Sequence, residues 1–455
     1  MLFTLPENVS EIIRRLEEAG FEAYAVGGCV RDMLLSQTPK DWDITTNAEP
    51  EDVKEVFKRT VDTGIKHGTV TVLFNEGAYE VTTYRIDGKY EDSRHPSKVT
   101  FTKSLREDLL RRDFTINAMA FNYSSGLVDC FGGQKDLENG VIRCVGDAHS
   151  RFGEDALRIL RAFRFAARLG FKIDPDTEAA AADLSDTLKN ISAERIREEI
   201  TKTLVSETPF ELQHMHRLGI LKEVLPRFEP LFSSEGKARY VLNSIKSAID
   251  GGLSEGDRTA YAWAVLSAAA AKVQSEAEPL QGRSLNEYCG TAEQGLNLPE
   301  LSKLFATRTL HDLKFDNDTI RTAGGLAKAV FTAPLAGEEA VRRNMSTMGN
   351  RIFDLWLAFL ATDGLEEGQC DRETAEKVRA CAENVRSRKD PVALKDLAVT
   401  GRDLIENGAT SGVLVGACLS YLLDRVLSEP GLNTRETLLS LAGAYFANEE
   451  QSENN

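Results

Sequence analysis

The stretch that decides the fold runs from Tyr24 to Thr45: Tyr24-Ala-Val-Gly27-Gly28-Cys-Val-Arg31-Asp32, then a short spacer, then Asp41-Trp42-Asp43-Ile-Thr45. Residues 23–26 are typical of a buried strand that ends at two glycines, and a helix is predicted to open near Arg31. Two adjacent glycines allow a tight turn because neither carries a Cβ. The free N–H groups at the start of the helix then suit an anion, typically a phosphate.

A pair of carboxylates follows the turn. Asp41 and Asp43 are two positions apart in a segment of strand character, so both side chains are expected on one face. Two such carboxylates repel each other unless a cation lies between them, and hard oxygen ligands suit Mg²⁺ shared with substrate phosphates. Taken singly, Gly-Gly is usually only a turn and Asp-x-Asp only a solvated strand edge. Together they indicate nucleotidyl transfer with two metals.

In this order, with Arg31 and Asp32 directly after the glycines, the two features resemble the signature of the DNA polymerase beta nucleotidyltransferase superfamily. More narrowly, the stretch is similar to that of class II tRNA nucleotidyltransferases (CCA-adding enzymes) and the bacterial poly(A) polymerases related to them. The resemblance implies an α+β fold. A polymerase-beta-like head, with a mixed sheet and helices, would be followed by an all-α neck, body and tail.

The composition sets limits that fit this expectation. A chain of 455 residues is too long for one domain, and its net charge of −16 argues against a general nucleic-acid coat, although local basic clusters occur. No apolar run reaches the ~18 residues of a membrane span, and we predict no signal peptide. The seven cysteines are scattered and form no Cys-x-x-Cys, which indicates a reduced, cytoplasmic location without a zinc site or disulfide framework.

Further candidate residues follow in the head. Residues 69–74 and 79–85 alternate like the strands of a hairpin, and Glu80 on the second is a candidate third catalytic carboxylate; an exposed strand glutamate is the alternative. Polar residues 87–97 predict a mobile loop. Arg111 and Arg112 are either a solvated helix face or clamps for a triphosphate, since a guanidinium grips phosphate oxygens bidentately.

The second informative stretch is residues 152–169, which predict one helix on which Asp155, Arg158, Arg161 and Arg164 recur every three positions. An ordinary salt-bridged face is one interpretation. Alternatively, a carboxylate beside a guanidinium offers an acceptor beside a donor. That pattern complements the pairing edge of cytosine or adenine and mismatches uracil and guanine, so Asp155 and Arg158 could select C and A without a nucleic-acid template.

Three motifs carry the family resemblance further: Glu154-Asp-x-x-Arg158-x-x-Arg161, the upstream Arg111-Arg-Asp-Phe-Thr115, and Ser192-Ala-Glu-Arg195-Ile downstream. The resemblance implies a role for each matching residue. In chain order, these are Gly28 and Arg31 in nucleotide contact, Asp41 and Asp43 in metal binding, Arg112 in phosphate contact, Asp155 and Arg158 as an amino-acid template, and Arg161 and Arg164 in supporting the triphosphate. The C-terminal part matches more loosely.

The predicted domains are a head over residues 1–147, a neck over 148–218, a body over 219–285, a tRNA-binding body and tail over 286–447, and a disordered end over 448–455. The predicted activity is Mg²⁺-dependent addition of C, C and A to the tRNA acceptor end from CTP and ATP. An A-adding enzyme or a poly(A) polymerase is the alternative within this chemistry, and a CC-only enzyme is disfavoured by the polar loop. A catalytically silent RNA-binding or scaffold protein is the alternative from another class. No membrane contact or obligate protein partner is predicted.

Overall fold

The computed structural model describes residues 4–75, 77–87, 99–276, 296–409 and 411–453, with side chains as far as residue 448. The chain divides into two compact units, Met1–Ser233 and Ser234–Asn455. The first contains every described strand, and the described residues of the second are helical or irregular. The predicted α+β class, with a mixed-sheet head followed by helices, is confirmed. The predicted domain boundaries at residues 147, 218, 285 and 447 stay predictions.

The strands are β1 Ala23–Val26, β2 Asp43–Thr46, β3 Thr60–Gly64, β4 Thr69–Phe74, β5 Gly77–Thr83, β6 Arg85–Asp87, β7 Val99–Phe101, β8 Met119–Asn122, β9 Gly126–Asp129, β10 Val141–Ile142 and β11 Lys172–Ile173. Seven of them form one sheet of order β3-β4-β5-β2-β1-β8-β9, in which only β2 and β5 are parallel neighbours. All four residues of β1 are buried, as expected of a central strand. The sheet therefore places the end of β1 and the start of β2 side by side.

The helices of the first unit are α1 Glu7–Glu18, α2 Gly28–Leu34, α3 Pro50–Val56, α4 Leu105–Leu110, α5 Gly133–Glu138, α6 Ala148–Glu154, α7 Leu157–Leu169, α8 Pro175–Asp183, α9 Ala193–Leu204, α10 Glu211–Arg217, α11 Leu221–Val224 and α12 Glu229–Phe232. α1 buries Val9, Ile12, Ile13 and Leu16, which is the apolar face that its sequence predicts. In the neck, α7 packs on α9 and α10, and Ile159, Leu160 and Phe163 are among its buried residues.

The helices of the second unit are α13 Glu235–Asp250, α14 Glu255–Glu276, α15 Leu298–Asp312, α16 Asn317–Ala329, α17 Glu338–Met348, α18 Asn350–Leu360, α19 Arg372–Ser387, α20 Gly401–Glu406, α21 Gly412–Ser428 and α22 Arg435–Glu453. α14 is buried along almost its whole middle and packs against α13, α15 and α16. A separate core near the C-terminus joins α20, α21 and α22 around Leu404, Leu422 and Leu438.

Several elements differ from the sequence predictions. No strand was expected after residue 150, but β11 pairs in parallel with β10; two residues are too few to show a period. α22 continues to Glu453, beyond residue 447 where the sequence predicts a disordered end. Asp87 closes β6, and the rest of the predicted mobile loop lies outside the described residues. Within the described residues, no helix is long and apolar enough to cross a membrane.

Candidate active site

The glycine turn follows β1 directly. Gly27 has φ +84°, a conformation that residues with a side chain rarely adopt, and α2 begins at Gly28. A Cβ on Gly27 would lie 2.9 Å from Nη1 of Arg112. The backbone conformation therefore favours glycine here, and any side chain would also displace the guanidinium of Arg112.

The two predicted metal ligands lie at the start of the neighbouring strand. Asp43 is the first residue of β2, Asp41 lies two positions before it, and both are exposed. Although Asp43 reaches solvent, desolvation by the surrounding protein raises the pKa of its carboxyl group; Arg112 acts in the opposite direction, and the charge of Asp41 adds to the increase. The charge of Asp41 thus disfavours ionisation of Asp43, and a bound cation would relieve that repulsion.

Glu80 lies beside this pair. In the parallel pairing of β2 and β5, Glu80 is the register partner of Asp43, so the two side chains belong to the same face of the sheet. However, no group of three or more His, Cys, Asp or Glu side chains that could hold a metal ion occurs among the described residues. A cation at this place would have Asp41 and Asp43 as its protein ligands, and the role of Glu80 as a third catalytic carboxylate stays a prediction.

Arg112 is held between the glycine turn and a buried acid. Its Nη2 is 3.5 Å from Oδ2 of Asp108, a fully buried carboxylate that also accepts hydrogen bonds from Nε of Arg111 at 2.9 Å and Oγ1 of Thr45 at 3.1 Å. Burial opposes ionisation of Asp108, but Arg111 and Arg112 outweigh it and lower its pKa. Nε of Arg112 is buried and has no hydrogen-bond partner among the described residues. Arg112 therefore lies close enough to influence the charge of Asp43, with one donor that has neither a partner among the described residues nor access to solvent.

Arg31 is buried beside the glycine turn. It is 3% exposed, and it donates from Nε and Nη2 to Oδ1 of Asp32, at 2.8 and 2.6 Å, and from Nη1 to Oδ1 of Asn117, at 2.6 Å. Its Nη2 would be 3.6 Å from a Cβ on Gly28. Arg31 thus packs against the turn, and its predicted contact with nucleotide stays a prediction.

Arg161 and Arg164 extend from α7 toward carboxylates of other elements. Arg161 donates from Nε and Nη2 to Oδ2 of Asp113, at 2.8 and 2.6 Å, and Arg164 donates from Nε to Oε2 of Glu199 on α9. Asp113 is buried; burial raises its pKa, but Arg161 and further hydrogen bonds outweigh this and lower the pKa to about 2. Both predicted triphosphate arginines therefore carry counter-ions within the protein.

The helix predicted over residues 152–169 is wrong at Asp155. α6 ends at Glu154 and α7 begins at Leu157, while Asp155 has φ −144° and ψ 103°. Oδ1 of Asp155 accepts a hydrogen bond from the N–H of Leu157 at 3.0 Å. An aspartate that bonds nearby backbone in this way competes with helical hydrogen bonds, which explains the break. Asp155 and the three arginines therefore do not form one continuous helical ridge.

The proposed base-reading pair is engaged with protein groups. Oδ2 of Asp155 accepts from Nη2 of Arg195 on α9 at 2.6 Å. Arg158 is 8% exposed and donates to Oε2 of Glu154 at 2.6 Å and to two backbone carbonyls, including that of Arg111 at 3.1 Å. Reading a base with this pair would require some of these bonds to be exchanged for bonds to the base.

Sequence reasoning missed the acids that pair with the arginines: Asp32, Asp108, Asp113 and Glu199. A signal was available, because arginines between buried apolar positions of one helix need carboxylate partners. The partners come from α2, α4, the segment after α4, and α9, so a linear sequence could show the need for acids without showing which acids meet it.

Comparison with known proteins gives three consecutive family matches. A "Poly A polymerase head domain" matches residues 23–143, a "Probable RNA and SrmB-binding site of polymerase A" matches 170–232, and tRNA nucleotidyltransferase domain 2 matches 298–442. The chain belongs to the family of CCA-adding tRNA nucleotidyltransferases and related poly(A) polymerases. The resemblance inferred from the residues is confirmed, and members of this family are generally metal-dependent nucleotidyltransferases.

Two curated relatives each match a little under half of the chain. The CCA-adding enzyme of Leuconostoc mesenteroides is 54% identical over 194 residues, which are 43% of this chain and 48% of that enzyme. The CCA-adding enzyme of Enterococcus faecalis is 52% identical over 207 residues, 45% of this chain and 51% of that enzyme. The chain thus spans about half the length of the curated relatives it matches.

Solved structures match along the full length. The Bacillus stearothermophilus CCA-adding enzyme in complex with CTP is 29% identical with a TM-score of 0.75, and the match covers 100% of both chains. The Thermotoga maritima CCA-adding enzyme complexed with tRNA, at 20% identity and a TM-score of 0.61, shares the fold over 96% of this chain. The similarity to the family therefore extends over both units.

Proposed function

We propose that this protein adds C, C and A to the 3′ end of tRNA from CTP and ATP and releases pyrophosphate, in the cytoplasm. The observation that carries the proposal is the meeting of Asp41, Asp43 and Arg112 at the Gly27 turn. Family matches that name a poly(A) polymerase head and a tRNA nucleotidyltransferase domain, and a solved relative that binds CTP, support the choice of substrates.

The donor set at this place suits Mg²⁺. Asp41 and Asp43 offer hard carboxylate oxygens, and Mg²⁺ is commonly held by one or two carboxylates that share it with substrate phosphates. The raised pKa of Asp43 means that the protein disfavours ionisation of its carboxyl group, and a bound cation would favour the ionised form. When bound, Mg²⁺ would supply positive charge for the reacting phosphate and lower the pKa of the attacking hydroxyl group.

The residues of the chain would bind and orient the nucleotide. The 3′-hydroxyl of tRNA attacks the α-phosphate, and pyrophosphate leaves. The guanidinium of Arg112 closely approaches the backbone at Gly27, so a phosphate bound at this turn would lie near its positive charge. Arg161 and Arg164 would add positive charge along the triphosphate, although part of that charge is balanced by Asp113 and Glu199.

Asp155 and Arg158 would select the base. The carboxylate accepts from the exocyclic amine of C or A, and the guanidinium donates to the neighbouring ring nitrogen. In the structure Asp155 accepts a hydrogen bond from Arg195, and Arg158 donates one to Glu154, at the junction of α6 and α7. Selection would then follow from protein groups alone, with the bonds to Arg195 and Glu154 replaced wholly or partly by bonds to the base.

The test is incubation of the full chain with Mg²⁺, CTP and ATP and a tRNA that lacks its terminal CCA, followed by sequencing of the 3′ ends. Products that end in CCA support the proposal. An unchanged tRNA 3′ end, in a reaction where the Bacillus stearothermophilus enzyme completes the terminus, would contradict it. The Asp43→Ala variant is the control for contaminating activity.

Poly(A) synthesis is the second candidate, because the family model that matches the catalytic head is named for poly(A) polymerase. The same sequencing separates the two activities. Runs of A added to tRNA or to an unrelated RNA, without preceding C residues, would favour the polymerase, whereas termination after one A on a CC end would favour CCA addition or an A-adding enzyme. A tRNA that lacks the CC end distinguishes the last two, because only a CCA-adding enzyme extends it with C from CTP, whereas both enzymes would add A to an end that already carries CC.

A further inference from the structure

One aromatic ring contacts three of the arginines assigned to nucleotide binding. Phe165 on α7 is 4% exposed. The guanidinium carbons of Arg31, Arg161 and Arg164 lie 5.3, 5.5 and 4.1 Å from the centre of its ring. A cation within about 6 Å of an aromatic face is attracted by the negative charge of that face, and more strongly where water is excluded.

The ring is the contact that joins Arg31 to the two arginines of α7. Arg161 and Arg164 share Glu199, and Arg161 is also paired with Asp113, whereas Arg31 is paired with Asp32. These acids therefore do not fix Arg31 relative to Arg161 and Arg164. The charges also repel, because the positive charge of Arg161 contributes to a lowered pKa of Arg164, of which burial is the main cause.

Phe165 is also part of the core, since the ring of Phe114 meets it edge to face at 5.7 Å. A cavity-forming substitution would therefore disturb packing and electrostatics together. The packing role and the electrostatic role of Phe165 can be separated. Packing depends on the shape of the ring, whereas the attraction of a guanidinium depends on the electrons of the ring face.

We infer that Phe165 is a positioning residue for nucleotide binding, whose ring holds Arg31, Arg161 and Arg164 in one arrangement and so sets where their charge meets a triphosphate. The inference rests on the proposed function for the identity of the nucleotide. The class of ligand, a chain of phosphates recognised by guanidinium groups, does not depend on the proposed function.

The experiment replaces Phe165 in the full chain by mono-, di- and trifluorophenylalanine, which nearly keep the shape and progressively remove negative charge from the ring face. The KM values for CTP and ATP are expected to rise with each fluorine, to about tenfold for the trifluoro ring. Discrimination between CTP and UTP should stay constant because Asp155 and Arg158 are unchanged. Calorimetric binding of inorganic tripolyphosphate should weaken in parallel.

Phe57 provides a matched control. It is 3% exposed, and the guanidinium carbon of Arg15 lies 4.5 Å from its ring, so it carries the same kind of contact away from the site. Fluorination of Phe57 should leave both KM and tripolyphosphate binding unchanged. A flat KM series at Phe165, equal effects at both rings, or a wild type that binds no tripolyphosphate would each overturn the inference. If the wild type binds tripolyphosphate and the fluorinated series weakens that binding step by step, but the protein transfers no nucleotide, only the proposed function is contradicted.

Discussion

The carboxylate pair at the start of β2 and the arginines of α7 handle charge in opposite ways. Asp41 and Asp43 are both exposed. Desolvation by the surrounding protein and the charge of Asp41 raise the pKa of Asp43. Arg161 and Arg164 are each bonded to a buried carboxylate. The carboxylate pair therefore keeps a repulsion that a bound cation can relieve. The positive charges of the α7 arginines are already balanced by acids of the protein.

This difference separates function from stability. A group that is strained without its ligand can be removed with little cost to the fold, because the free protein loses an unfavourable interaction. A group that balances a buried charge cannot, because its partner would remain buried and unpaired. Substitutions at the two regions should thus have different signatures, although both belong to the same candidate site.

The largest expected effect is at the carboxylate pair. Asp43→Asn or Asp41→Ala should lower the rate of nucleotide transfer by about 10³-fold or more, because electrostatic stabilisation at the reacting phosphate is lost. Single-turnover incorporation of labelled CMP into tRNA without its CCA end measures the rate. The free protein should be at least as heat-stable as wild type: a raised pKa means that the ionised form of Asp43 costs stability above that pKa, and the asparagine removes the cost.

Two further variants sharpen this prediction. Asp62→Ala removes an exposed strand carboxylate paired with Lys54 and should leave the rate unchanged. Glu80→Gln should lower the rate if Glu80 is a third catalytic carboxylate, and normal turnover would remove it from the site. Near-normal transfer by Asp43→Asn in Mg²⁺ would contradict the assignment of the pair.

The next effect is on stability at the arginine network. Asp113→Ala should lower the free energy of unfolding by about 2 kcal/mol, because the buried Asp113 carboxylate and its charged hydrogen bonds with Arg161 are lost, although Glu199 remains 4.0 Å from Arg161. Denaturant melts of the full chain, followed by circular dichroism, measure the loss. Glu198→Ala, whose ion pair with Lys202 is exposed on α9, is the control and should change stability little.

The acid dependence of this pair has a definite sign. The pKa of Asp113 is about 2 in the folded protein, below its ordinary value of 3.8. The resulting stabilisation, about 2 kcal/mol, is complete above the ordinary pKa and is lost as the pH falls toward 2. The difference in unfolding free energy between wild type and Asp113→Asn should therefore shrink between pH 4 and pH 2. A difference that is constant with pH would show that Asp113 acts through packing alone.

The same comparison explains how much the sequence could predict. Asp41, Asp43 and the glycine turn are close together in the chain, and their chemistry depends on local spacing, so the sequence alone predicted both the turn and the pair. The partners of Arg161 and Arg164 lie 48 and 35 positions away. The break at Asp155 depends on a side chain that caps α7 and contacts Arg195, 40 positions away. Periodicity describes a helix well but does not show which tertiary contacts interrupt it.

A smaller effect is expected for base selection. Asp155→Ala removes the acceptor that favours an exocyclic amine and repels a carbonyl group, so UTP incorporation relative to CTP should rise about tenfold. The rate with CTP should fall at the same time. Single-turnover reactions with each of the four nucleotides, on one tRNA without its CCA end, measure both changes. If all four nucleotides slow equally, Asp155 serves only to break the helix and bind Arg195.

The smallest effect is expected at Arg195, and it tests whether the contact seen in the structure belongs to base selection. Arg195 donates from Nη2 to Oδ2 of Asp155 at 2.6 Å, and both side chains are partly exposed. Without this bond the Asp155 carboxylate would no longer be held in a single orientation. Because partly exposed ion pairs are worth up to about 1 kcal/mol, Arg195→Ala should weaken discrimination of CTP from UTP by about two- to fivefold. Arg195→Lys, which can still donate to one oxygen, should recover part of it. If Arg195→Ala improves discrimination instead, the bond competes with the base, and Arg195 would hold Asp155 away from its reading position until a nucleotide binds.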